Sequence, residues 1–222
     1  MSGPRRVPTV VDVALDQRES SLRPALGGRI CFWGGIVGAL QAVVVLAALL
    51  LADPAGATRY SHPFSPGVWS IAQITFAIQH VALLLGVIAL AGVTGIPRVA
   101  RYGLLGAGGG LFLLADMELF ALTAADATVG DPRAELVDSL YGIPTVITGV
   151  TLVVAGVSLA RSRALPGGRR WIVLVTGLYV FVALLPAVFG PDAAGRVAIG
   201  VWMLLFAALG LAARPSREEA RT

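Results

Sequence analysis

Long apolar runs separated by short polar breaks fill the chain from Ile30 onward. Each run is about 20 residues, the length that carries an α-helix across the hydrocarbon core of a bilayer. There are six: Ile30–Ala52, Val68–Ala91, Gly103–Ala125, Leu140–Ala160, Trp171–Phe189 and Ala193–Ala213. Helix breakers or charge bound them, at Asp53-Pro54, Pro63 to Gly67, Gly95-Ile96-Pro97-Arg98, Asp131-Pro132, Pro166-Gly167-Gly168, Gly190-Pro191 and Pro215. Pro186 interrupts the fifth run near its end, and the short link after it forces the last two runs into an antiparallel hairpin. The pattern predicts an all-α fold, a polytopic membrane helix bundle of six transmembrane helices over 30–213. The polar, proline-bearing segment 1–29 reads as a largely disordered tail, and 214–222 as a second short tail.

Charge adds direction. All 17 basic residues are arginine. Fourteen of them fall in the first tail, the second-to-third loop, the fourth-to-fifth loop and the last tail; only Arg59, Arg133 and Arg196 fall on the other side. Positive charge flanking spans stays in the cytoplasm. Both termini are therefore expected there, in a multi-pass protein of the cell (plasma) membrane, with the acidic stretch Asp126 to Asp138 outside. The first apolar run is too long for a secretory signal and reads as a retained helix.

Composition agrees. The chain has 222 residues, is 56% hydrophobic and only 14% charged, where a soluble domain carries about 25% charge. The net charge of +4 sits beside the spans, so the expected partner is the lipid bilayer and not nucleic acid. Cys31 stands alone, which excludes an intrachain disulfide, and the two histidines, His62 and His80, form no metal-ligand pattern with it. No metal and no cofactor is expected; His62, in a loop beside Pro63, cannot pair with His80 around a haem.

Candidate chemistry lies in the polar residues at mid-span depth. Gln41 centres the first span, and Gln79 with His80 the second; Gln73 shares the His80 face. In the third span Asp116 and Glu118 lie about 3 and 6 Å outward of its centre at ~1.5 Å per residue. A charged carboxylate at such depth costs about 2.5–3.5 kcal/mol on insertion scales, so the rest of the chain is expected to hide both from lipid. Two residues apart, they stand about 200° apart around a helix of ~3.6 residues per turn and cannot meet one partner. Asp116 shares a face with Gly109. One of the two acids is expected within reach of His80 on the neighbouring second span, with Gln41 or Gln73 behind it. Thr145, Thr148, Thr151, Thr176 and Tyr179 bring further hydroxyls from the fourth and fifth spans. Gly106 and Gly110 form a GxxxG for close packing against another helix of the chain; the run lacks the lysine and preceding strand of a phosphate loop. Trp33, Trp69, Trp171, Tyr60, Tyr102 and Tyr141 near span ends read as interfacial aromatics.

The second half, with Leu165-Pro166-Gly167-Gly168-Arg169-Arg170-Trp171, Leu185-Pro186, Gly195-Arg196, Val201-Trp202 and Leu209-Gly210, resembles small, uncharacterised multi-pass membrane proteins of GC-rich actinobacteria. The resemblance covers about residues 140–213, implies the same kind of helix bundle, and carries over no catalytic residue.

Three functions fit these residues. The first is a non-enzymatic bundle binding a small or lipid-like ligand, or a membrane partner or second copy, at the polar layer. The second is a proton-coupled transporter, or its subunit, using Asp116, Glu118 and His80. The third is an intramembrane enzyme on a lipid or isoprenoid with a carboxyl general acid. The same layer also reads as interhelical hydrogen-bonding alone.

Overall fold

A computed structural model describes the backbone at residues 10–53, 58–162 and 164–213, and side chains within those ranges from Pro24 onward. Six helices run through it: α1 (Val10–Leu51), α2 (Pro66–Ala91), α3 (Arg98–Ala121), α4 (Pro132–Ser162), α5 (Arg169–Val188) and α6 (Asp192–Ala212). All six contain a stretch long and apolar enough to cross a membrane, which makes the chain a multi-pass membrane protein by length and composition.

Chain neighbours pack antiparallel, and α1 closes the bundle against α6. Missing side chains permit this closeness. A Cβ on Gly35 of α1 would stand 2.5 Å from the Met203 carbonyl oxygen of α6, and one on Gly103 of α3 would stand 2.8 Å from the Thr151 oxygen of α4. Gly210, late in α6, lies against Gly28 and Phe32, early in α1, so the described chain starts and ends at the same end of the bundle. Leu83, Val87, Leu104, Leu111, Leu152 and Phe206 fill the interior from four helices. At the end that carries the acidic 126–131 loop, Tyr60, Phe64, Trp69, Ala124, Ala127 and Val137 form a second small core. Backbone bonds Tyr60 N–H to Ala127 O (2.9 Å) and Val129 N–H to Thr58 O (3.0 Å) pin the two loops together as a cap.

Three expectations change. The segment before Ile30 is not a disordered tail where it is described: α1 begins at Val10 and runs through Pro24. Residues 1–9 and 214–222, with the last tail's arginines and Arg163, lie outside the described residues. The fourth span begins eight residues early, because Pro132 suits a first helical turn and Asp131 Oδ1 accepts the Arg133 N–H at 2.8 Å. Finally, Pro186 does not break the fifth span. It has no N–H to give the carbonyl one turn back, and the helix passes this point through a π-turn at Val180–Leu184.

Candidate functional site

His80 and Glu118 come together inside the bundle. His80 lies on the buried face of α2 with Phe76, Leu83 and Val87. Its Nδ1 stands 2.9 Å from the Phe76 carbonyl oxygen one turn back; a carbonyl only accepts, so Nδ1 carries the hydrogen. Glu118 lies on the buried face of α3 with Leu111, Leu114 and Ala115. Its Oε1 is 3.8 Å from His80 Nδ1, beyond hydrogen-bond length. Side-chain exposure is 5% for His80 and 10% for Glu118, so neither group is open to lipid.

Tyr141, one turn before Pro144 on α4, donates its hydroxyl hydrogen to Glu118 Oε2 at 2.8 Å. The same hydroxyl oxygen accepts from Gln73 Nε2 of α2 at 3.3 Å. Three helices thus meet on one carboxylate. Toward the capped end the polar groups continue: Tyr60 donates to Asp138 Oδ1 at 2.6 Å, and Asp138 is three residues from Tyr141. Tyr60 also meets the Trp69 ring edge-on at 5.6 Å. Burial, then the bond to Asp138, pushes the Tyr60 phenol well above its ordinary range. Arg196, early in α6, is close enough to act electrostatically on both Tyr60 and Glu118.

Other expected members fall elsewhere. Gln41 braces α1 on α2 through Nε2 to the Ala72 carbonyl at 2.9 Å. Gln79 faces away from Glu118: its amide fills the notch at Gly38 and meets Met203 Sδ at 2.6 Å. Thr148 and Thr176, both buried, donate to the carbonyls of Pro144 and Ile172 in their own helices. Gly106 and Gly110 lie against α4, at Thr151 and at Thr148 with the Pro144 carbonyl. Asp116 is the correction: it does not join the interior layer, but is exposed on the outer face of α3 beside Gly109, with no hydrogen bond or ion pair among the described residues.

Tyr141 is the residue that sequence reasoning misassigned. Taken as an interfacial aromatic, it is instead, among the described residues, the hydrogen-bond donor to Glu118. Tyr60 and Trp69 likewise belong to the cap core and not to a lipid-facing belt, whereas Trp33 and Trp171 are 62% and 47% exposed on the outer surface. The available signal was spacing, since Tyr141 precedes Pro144 and Thr148 by three and seven residues and so shares their inward face.

The arrangement offers an under-filled acceptor. A carboxyl group can accept at more than one lone pair, and among the described residues one hydroxyl, that of Tyr141, donates to Glu118. Among the described residues no three His, Cys, Asp or Glu side chains gather as metal ligands. Compared with protein-family models, curated proteins and solved structures, the chain matches none.

Proposed function

We propose that the protein is a plasma-membrane bundle with both termini in the cytoplasm, and that it acts by binding a small lipid-like ligand at Glu118 and not by catalysis. The arginine asymmetry supports the orientation; on it, the Tyr60–Trp69 cap faces outside and Glu118 lies in the outer half of the membrane. The reading rests on one observation: a carboxylate inside the bundle with a single hydrogen-bond donor, beneath a cap whose tyrosine is tied to the same helix, α4. Such a group selects a ligand head bearing N–H donors or positive charge, because burial without paired donors is unfavourable. The leucines and alanines around it favour an apolar body.

A long-chain primary amine is the simplest probe. Thermal unfolding of the detergent-solubilised protein should shift upward with the amine and not with the matching alcohol; at a hundredfold excess over Kd the stabilisation is about 2.7 kcal/mol. Glu118→Gln should abolish the shift. An equal shift in that variant, or none in the wild type, overturns the reading.

The His80–Glu118 approach of 3.8 Å favours a second reading, proton-coupled transport. It requires the other half of the bundle to open, where Leu83, Val87, Leu104 and Leu152 are fully buried. Proton flux into liposomes that disappears in both Glu118→Gln and His80→Gln would replace the first reading by this one.

A further inference from the structure

The outer face of α3 repeats with the spacing of a coiled-coil seam. Tyr102, Leu105, Gly109, Phe112, Asp116, Leu119 and Thr123, spaced alternately by three and four residues, are all exposed. Within that seam Gly109 has nothing within 4 Å of where a Cβ would lie, and Phe112, one turn on, is 60% exposed. Asp116 follows one more turn along. It is an ionisable side chain exposed on the lateral surface of the bundle.

Lipid tails cannot satisfy a carboxyl group. Among the described residues the chain supplies no partner. We propose that this face of α3 is the contact with a second copy of the same chain, in a parallel two-fold dimer centred on Asp116.

Three features select a second copy. Every copy in a membrane has the same orientation, so a two-fold axis along the membrane normal brings residues of equal depth together, and Asp116 meets Asp116. A carboxylic acid both donates and accepts, so two that share a proton satisfy each other, as carboxylates at close range do. The rest of the seam is self-complementary as well: Phe112 is a knob, the open backbone at Gly109 is a hole, and a single polar residue in such a seam fixes register and favours a defined oligomer. The proposal is independent of the Glu118 site, which faces the opposite way.

The test is dye-pair energy transfer between full-length chains in liposomes, with the protein diluted in lipid. Wild type should dimerise. Asp116→Asn should keep the dimer, since an amide also donates and accepts. Asp116→Leu, which adds only apolar surface to an exposed position, should weaken association by about tenfold or more, and Gly109→Leu should do likewise by filling the hole. Unchanged melting temperatures of both leucine variants in detergent would establish that the monomer still folds. Phe112→Cys should cross-link between copies, and Val150→Cys, at an exposed position of α4, should not. A monomeric wild type overturns the proposal, as do dimers indifferent to Asp116→Leu or cross-linking through position 150. Association only in the presence of a different membrane protein also overturns it.

Discussion

Glu118 and Asp116 are two residues apart and occupy opposite surroundings: one accepts a tyrosine hydroxyl inside the bundle, the other faces outward without a partner. Their two-residue spacing in the sequence shows that they cannot share a partner. Which of them turns inward is not legible there. In a membrane helix the lipid-facing side is as apolar as the core, so no amphipathic stripe marks the inside. The role of Tyr141 was hidden for a related reason, because a tyrosine near a span end fits the interface equally well. Tyr141→Phe should cost about 1 kcal/mol, within the range of membrane hydrogen bonds, and lower the melting temperature by roughly 2–4 °C for a chain of this size. It should also strengthen amine binding, because Glu118 then lacks the tyrosine donor and the amine supplies one. A variant indistinguishable from wild type in both measurements would contradict the Tyr141–Glu118 bond.

At the scale of elements, the glycines of α3 separate two surfaces. A Cβ on Gly110 would meet the Thr148 hydroxyl and stand 3.1 Å from the Pro144 carbonyl oxygen, whereas one on Gly109 would meet nothing within 4 Å. Gly110→Leu should therefore destabilise the detergent-solubilised monomer by about 1–3 kcal/mol or more through overpacking, and Gly109→Leu should leave its unfolding unchanged. Equal effects at the two positions would mean that α3 is rotated from the arrangement described. Span centres were legible from hydropathy, but helix ends were not: α4 continues past the apolar run to Pro132, where turn chemistry and not hydropathy sets the boundary. The cap it helps to build carries a titratable group. Tyr60 keeps its proton more firmly folded than unfolded, so its contribution is fully present below the ordinary phenol value of 10.0 and is lost as pH rises beyond it. Melting temperature should fall above that pH in wild type and fall less in Tyr60→Phe; identical alkaline profiles would contradict the Tyr60–Asp138 contact.

For the whole molecule, length and apolar pattern were enough to predict six helices, and arginine placement supplies an orientation that the packing itself does not encode. Reporter fusions after Arg101 and Arg163 should report cytoplasm, and a fusion near Gly130 the outside; a cytoplasmic signal at Gly130 would invert the bundle and place the cap inside. Ring order is not legible in the sequence; in the structure α1 closes on α6. Binding at Glu118 is the central claim, and infrared difference spectroscopy of the carboxyl band reads it directly. Adding the long-chain amine to wild type should perturb one carboxyl band, retained in Asp116→Asn and absent in Glu118→Gln. Amine binding with that band unchanged, or with the same perturbation in Glu118→Gln, would contradict the account.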